Sequence, residues 1–159
     1  MEFVSVDSKK DTFLIMPIGD IQFTGMRGAT AIDLLKRRID YGLKRGAQFL
    51  GLGDFTDFLS PSNRQRLSSA TLYDTSKDVI EDAAINLVHE LYDKILRPTT
   101  GHWIGLLEGH HFMDFQDGST SDMLLAELLK TQFLGTTVMG RVRFDKDGDV
   151  VFWAQHGSG

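Results

Sequence analysis

Phe49-Leu50-Gly51-Leu52-Gly53-Asp54-Phe55-Thr56-Asp57 decides the reading of this chain. A short apolar run stops abruptly at a glycine and a carboxylate, and a second carboxylate follows three residues on. The same arrangement recurs. Phe13 to Ile18 runs into Gly19-Asp20-Ile21-Gln22, Trp103 to Leu107 into Glu108-Gly109-His110-His111, and Val150 to Ala154 into Gln155-His156-Gly157. The runs have the length and the aromatic or β-branched content of buried strands. In an open sheet with helical crossovers, ligands bind beyond the carboxyl ends of the strands. Four clusters far apart in sequence are therefore expected at one edge, where their carboxylate, imidazole and carboxamide groups would hold metal.

Between the strands the periodicity changes. Residues 27 to about 45 read as a helix with Ile32, Leu35, Ile39 and Leu43 on one face, Lys36, Arg37, Arg38, Lys44 and Arg45 mostly on the others, and Gly46 as the stop. With the strands on either side this makes a βαβ unit. Ser60 to Arg64 reads as a loop. A second helix is expected over roughly 76 to 96, with Ile80, Ala84, Leu87, Leu91 and Ile95 inward and Pro98 helping to end it. Ser119-Thr120-Ser121-Asp122 offers N-capping groups to an apolar helix through Leu124, Leu125, Leu128 and Leu129. The tail reads as a β-hairpin: Val138, Gly140, Val142 and Phe144 alternate with polar residues, and Asp147-Gly148 marks the turn.

Composition bounds the function. At 159 residues and 42% hydrophobic, the chain is long enough for one globular domain, 1–159, with a real core. A net charge of −5 gives no global field for a polyanion, so any nucleic-acid contact must come from a local patch or from bound metal. Cysteine is absent, which removes disulfides, thiolate metal sites and thiol nucleophiles. Residues 1 to 12 are polar and mixed in charge, and no run approaches membrane-spanning length. A cytoplasmic location without membrane contact is the expectation.

The ordered clusters resemble the motifs of the calcineurin-like metallophosphoesterases. Gly19-Asp20-Ile21-Gln22 is similar to G-D-x-H, Gly53 to Asp57 to G-D-x-x-D, Gly109-His110-His111 to G-N-H-[DE], and His156-Gly157 to the later single-histidine motif. Each tetrapeptide alone is a weak signal; the ordered set of four is specific. The resemblance implies an α/β (α+β-like) fold: a two-sheet β sandwich flanked by helices, with a dinuclear metal centre at one edge. It implies Asp20 and Gln22 on the first metal, Asp54 bridging, His110 and His156 on the second, and Asp57 with His111 as the acid pair. Two divalent cations about 3.5 to 4 Å apart would clamp the phosphoryl oxygens and acidify a bridging water. Manganese is the first expectation for the metals, with iron, zinc or nickel as alternatives.

The implied activity is hydrolysis of a phosphate ester by metal-bridging hydroxide, with a phosphodiester of a nucleotide or nucleic acid as the expected substrate. Arg64 and Arg66, close behind the second cluster, are candidates to hold substrate phosphate, since a guanidinium grips phosphate bidentately. Phe58 stands where the family's protein phosphatases carry arginine, which argues against a phosphoprotein.

The chain also departs from the motifs. Gln22 replaces a histidine and is a weaker zinc donor than imidazole. His110 replaces an asparagine. Phe112 replaces an acidic residue, which leaves Asp57, and after it Asp114, to orient His111. The family's last motif, G-H-x-H, does not occur before Gly159, so the domain is expected to be C-terminally incomplete, with the hairpin at 137 to 154 keeping an uncovered edge and face open to self-association or to a completing segment. The alternative reading is a catalytically silent or incomplete metal-binding fragment acting as an assembly partner. Taken singly, Asp20 and Asp54 could simply cap turns, and the basic helix residues could be a solvated face.

Overall fold

The structure, a computed structural model, describes residues 1–26, 28, 30–58, 74–145 and 148–157. Strands β1 (Glu2–Ser8), β2 (Ile15–Ile18), β3 (Gln48–Gly51), β4 (Trp103–Leu106), β5 (Thr137–Phe144) and β6 (Gly148–Gln155) form two three-stranded sheets. Helices α1 (Ile32–Lys44), α2 (Asp74–Leu91) and α3 (Ser121–Leu128) complete a mixed α/β fold among the described residues.

One sheet is parallel, in the order β2-β3-β4, and its side chains alternate between two cores. Met16, Ile18, Phe49, Trp103 and Leu106 face the helices, where Ile39, Val88, Leu91, Ile95, Leu125 and Leu129 meet them. Ile15, Leu50, Ile104 and Leu107 face the other way, onto Val4, Val138, Phe152 and Ala154 of the second sheet. The order of layers is therefore helices, parallel sheet, second sheet. Burial on both faces explains why β3 and β4 read as unbroken apolar runs. Each fully buried Leu, Ile or Phe here contributes about 1.5–3 kcal/mol.

The helices follow their expected faces. Ile39 of α1 is buried, and Ile32, Leu35 and Leu43 pack half-buried against the same core. Gly46 takes φ +69, a left-handed stop open to glycine, and Ala47 N–H closes the end on Gly42 O at 3.0 Å. From α2 the chain continues into a π-helical turn, Tyr92–Leu96, which buries Ile95 and Leu96 before Pro98. Thr120 caps α3, its Oγ1 accepting Met123 N–H at 3.3 Å.

The second sheet, in the order β1-β5-β6, corrects the sequence reading twice. The amino-terminal segment, expected to be only polar and mixed in charge, contains β1, which runs parallel to β5 from Glu2↔Val138 to Ser8↔Phe144. Val4, Val6 and Ser8 point inward at a spacing of two. The run Val150 to Ala154, read from its composition as a buried strand, lies in β6 at an edge of this sheet with Val150, Val151 and Trp153 more than half exposed, in keeping with the uncovered edge and face expected of the hairpin. Among the described residues, helices cover one side of the sheet pair, not both. No helix of the described residues is long and apolar enough to cross a membrane.

Candidate metal centre

Strand ends and backbone bonds bring the clusters together. Beyond β2 and β3 the chains stay zipped: Leu52 N–H donates to Ile18 O at 2.8 Å, Asp20 N–H to Gly53 O at 3.1 Å, Gln22 N–H to Asp54 O at 3.0 Å, and Asp57 N–H to Phe23 O at 3.1 Å. This holds the first two clusters side by side. The third arrives beside the second through a glycine contact. A Cβ on Gly53 would lie 2.6 Å from Gly109 Cα, and one on Gly109 would lie 2.1 Å from Asp54 N. Glycine heads both motifs because no side chain fits between them.

Asp20, Gln22 and Asp54 adopt φ of 52, 46 and 52. Left-handed backbone is uncommon for residues other than glycine and gathers at functional sites. Among the described residues Lys130 is the fourth such residue, so three of those four belong to the clusters.

The Asp54 carboxylate is the hub, 6% exposed. Its Oδ1 accepts the N–H groups of His110 and, at 3.1 Å, His111. Its Oδ2 lies 3.5 Å from His156 Nε2, which in turn lies 3.2 Å from His110 Nδ1. The two imidazoles meet edge to face, with centroids 4.4 Å apart. Asp54, His110 and His156 each present one ligand atom within 4.8 Å of the others. His156 Nδ1 faces the Leu52 carbonyl within hydrogen-bonding distance, so Nδ1–H donates there and Nε2 is the nitrogen turned toward Asp54 and His110. Two imidazole nitrogens and a carboxylate oxygen suit a borderline divalent cation.

Beside this group, Asp57 Oδ1 and His111 Nδ1 pair at 2.8 Å. His111 is 26% exposed at the side chain, partly sheltered but open to solvent. Asp20 and Gln22 lie on the adjoining loop with exposed side chains, and Asp20 is not part of the ligand group. The implied ligands of the second metal and the acid pair are thus drawn together, whereas those of the first metal adjoin them through the backbone bonds of residues 20 and 22. Asp114 forms an isolated antiparallel backbone bridge with Thr120. Arg64 and Arg66 lie outside the described residues.

One functional residue was missed. Asp122, read as a capping group, is 3% exposed, and its Oδ2 accepts Gly109 N–H at 3.0 Å. Asp122 and Asp54 together take three consecutive amides, those of residues 109, 110 and 111, and so set the turn that presents both histidines. Burial pushes the Asp122 carboxyl up to about 7, with the Glu108 and Asp54 carboxylates adding to the effect and Gly109 N–H and His156 opposing it. Acidic residues are common in the first turn of a helix, so nothing in the sequence marked this one.

Comparisons with protein-family models, with curated proteins and with solved structures gave no match.

Proposed function

We propose that this chain is a metal-dependent phosphoesterase of the calcineurin-like kind, hydrolysing a phosphate ester and foremost a phosphodiester of a nucleotide or nucleic acid. One observation carries the reading: Asp54, His110 and His156 converge within 4.8 Å, beside an Asp57–His111 pair at 2.8 Å. Ligands for a cation and an oriented imidazole acid are the two parts that such a hydrolysis needs. Manganese is the proposed metal, with iron, zinc or nickel as alternatives, and Asp20 and Gln22 are the proposed additional ligands for a second ion.

Bound cations would supply electrostatic stabilisation of the phosphoryl oxygens and a water acidic enough to react near neutral pH. The chain's own residues account for the rest. Asp54, tied to the 109–111 turn, keeps the histidines in register. Asp57 accepts from His111 Nδ1–H and orients the ring, so that Nε2–H can donate to the leaving oxygen. Water oxygen bonds to phosphorus, the bond from phosphorus to the leaving oxygen breaks, His111 gives that oxygen a proton, and the water's proton passes to solvent.

The test is hydrolysis of bis-p-nitrophenyl phosphate after chelation and return of manganese, alongside Asp54→Asn. Manganese-dependent turnover lost in the variant is the expected result. A folded, manganese-loaded wild-type chain without turnover would overturn the proposal.

A second reading, a catalytically silent assembly partner, is favoured by the outer face of the β1-β5-β6 sheet. Phe3, Val151 and Trp153 are more than half exposed there. Concentration-dependent sedimentation abolished by Trp153→Ser, in a chain without turnover, would support it.

A further inference from the structure

A cavity of about 170 Å³ opens beside the candidate metal centre, between the turn after β4 and the end of β6. His110 and His156 line it together with Glu108, Thr136, Thr137 and Gln155. At about 30 Å³ per water it has room for roughly five or six, the size of one small ring and well short of the 300 Å³ or more of a drug-sized pocket. Among the described residues no apolar side chain lines it, and its only rings are the two candidate ligands, so it offers no stacking platform for a base. It is held in shape by backbone: Glu108 N–H donates to Gly135 O at 2.9 Å and His156 N–H to Thr136 O at 3.4 Å.

Resting on the phosphoesterase reading, we propose that this cavity holds the ester group that stays on phosphorus, and that this group is an uncharged sugar with adjacent hydroxyls, as in a ribonucleotide. Two features lead there. Asp57 and His111 do not line the cavity, so the leaving oxygen that His111 protonates points elsewhere, and the retained group is the one directed past His110 and His156. The lining is also a hydroxyl-binding set. The Glu108 carboxylate has about four acceptor positions, enough to take a diol in addition to bonds within the protein, and the threonine hydroxyls and the Gln155 carboxamide both donate and accept. A second phosphate in the same place would face the Glu108 carboxylate and be repelled.

The test uses ribose phosphate and deoxyribose phosphate, each phosphorylated on its primary hydroxyl, as mimics of the product. Their binding to the manganese-loaded chain is measured by calorimetry. Losing one hydroxyl that donates to a carboxylate weakens binding by about tenfold or more, so ribose phosphate is expected to bind that much more tightly. In Glu108→Gln the ratio should fall toward one. Equal wild-type affinities, or a ratio unchanged in Glu108→Gln, would overturn the proposal, and the wild-type comparison needs no variant to fold. Bis-p-nitrophenyl phosphate turnover on the same sample judges the phosphoesterase reading separately, because that probe brings no sugar to the cavity.

Discussion

Asp122 shows how a single side chain couples the site to stability. Its carboxyl is raised from 3.8 to about 7 by burial, so the folded chain binds that proton more tightly than the unfolded chain does. The stabilisation is complete below the unfolded value and is lost as pH rises through about 7. In the metal-free chain this should cost up to about 4 kcal/mol across the window. Asp122→Asn keeps an acceptor for Gly109 N–H without the charge. Urea denaturation should find the variant more stable than wild type at about pH 8, and the advantage gone near pH 4. His111 makes a different prediction. An acid that protonates the leaving oxygen matters most when that oxygen is basic, so His111→Ala should cost about 10²–10⁴-fold in kcat on an alkyl phosphodiester. On bis-p-nitrophenyl phosphate, whose leaving group departs unprotonated, the loss should be much smaller. Equal losses on both substrates would remove His111 from the acid role.

At the scale of elements, the two tryptophans separate a strand that carries the core from one that does not. Trp103 of β4 is 7% exposed, packs its ring 5.3 Å from Phe49, and donates Nε1–H to Thr99 Oγ1 at 2.7 Å. Trp153 of β6 is 57% exposed. Trp103→Ala should destabilise by about 3–5 kcal/mol, and Trp153→Ser by no more than about 0.5 kcal/mol, both by urea denaturation. Legibility in the sequence divides along the same line. β3 and β4 are buried on both faces, so their apolar runs stand out. The face of α1 is equally plain in Ile32, Leu35, Ile39 and Leu43. β1 escaped because four of its seven residues are polar and its partner, β5, is more than a hundred residues away, which hides a parallel pairing from any local pattern. β6 was legible as a strand, but its apolar composition alone read as buried; its uncovered edge and face were expected only from the strands the sheet lacks, because exposure depends on what covers a sheet rather than on its composition. At the site, Asp54, His110, His156 and the Asp57–His111 pair were visible as clusters at strand ends. Asp122 was not, since its role comes only from the way α3 docks on the 109–111 turn.

For the whole molecule, the layered arrangement places three strand ends of the parallel sheet and the end of β6 around Asp54. A ligand held there bridges both sheets. A cation bound to the folded chain alone should therefore stabilise all of it, by about 2.7 kcal/mol at a hundred times the dissociation constant. The most direct measurement is titration of the chelated chain with manganese, reading the free ion by electron paramagnetic resonance. The account predicts that wild type removes manganese from solution, and that Asp54→Asn and His156→Ala each weaken uptake by about tenfold or more. Uptake no stronger in wild type than in those variants would contradict it.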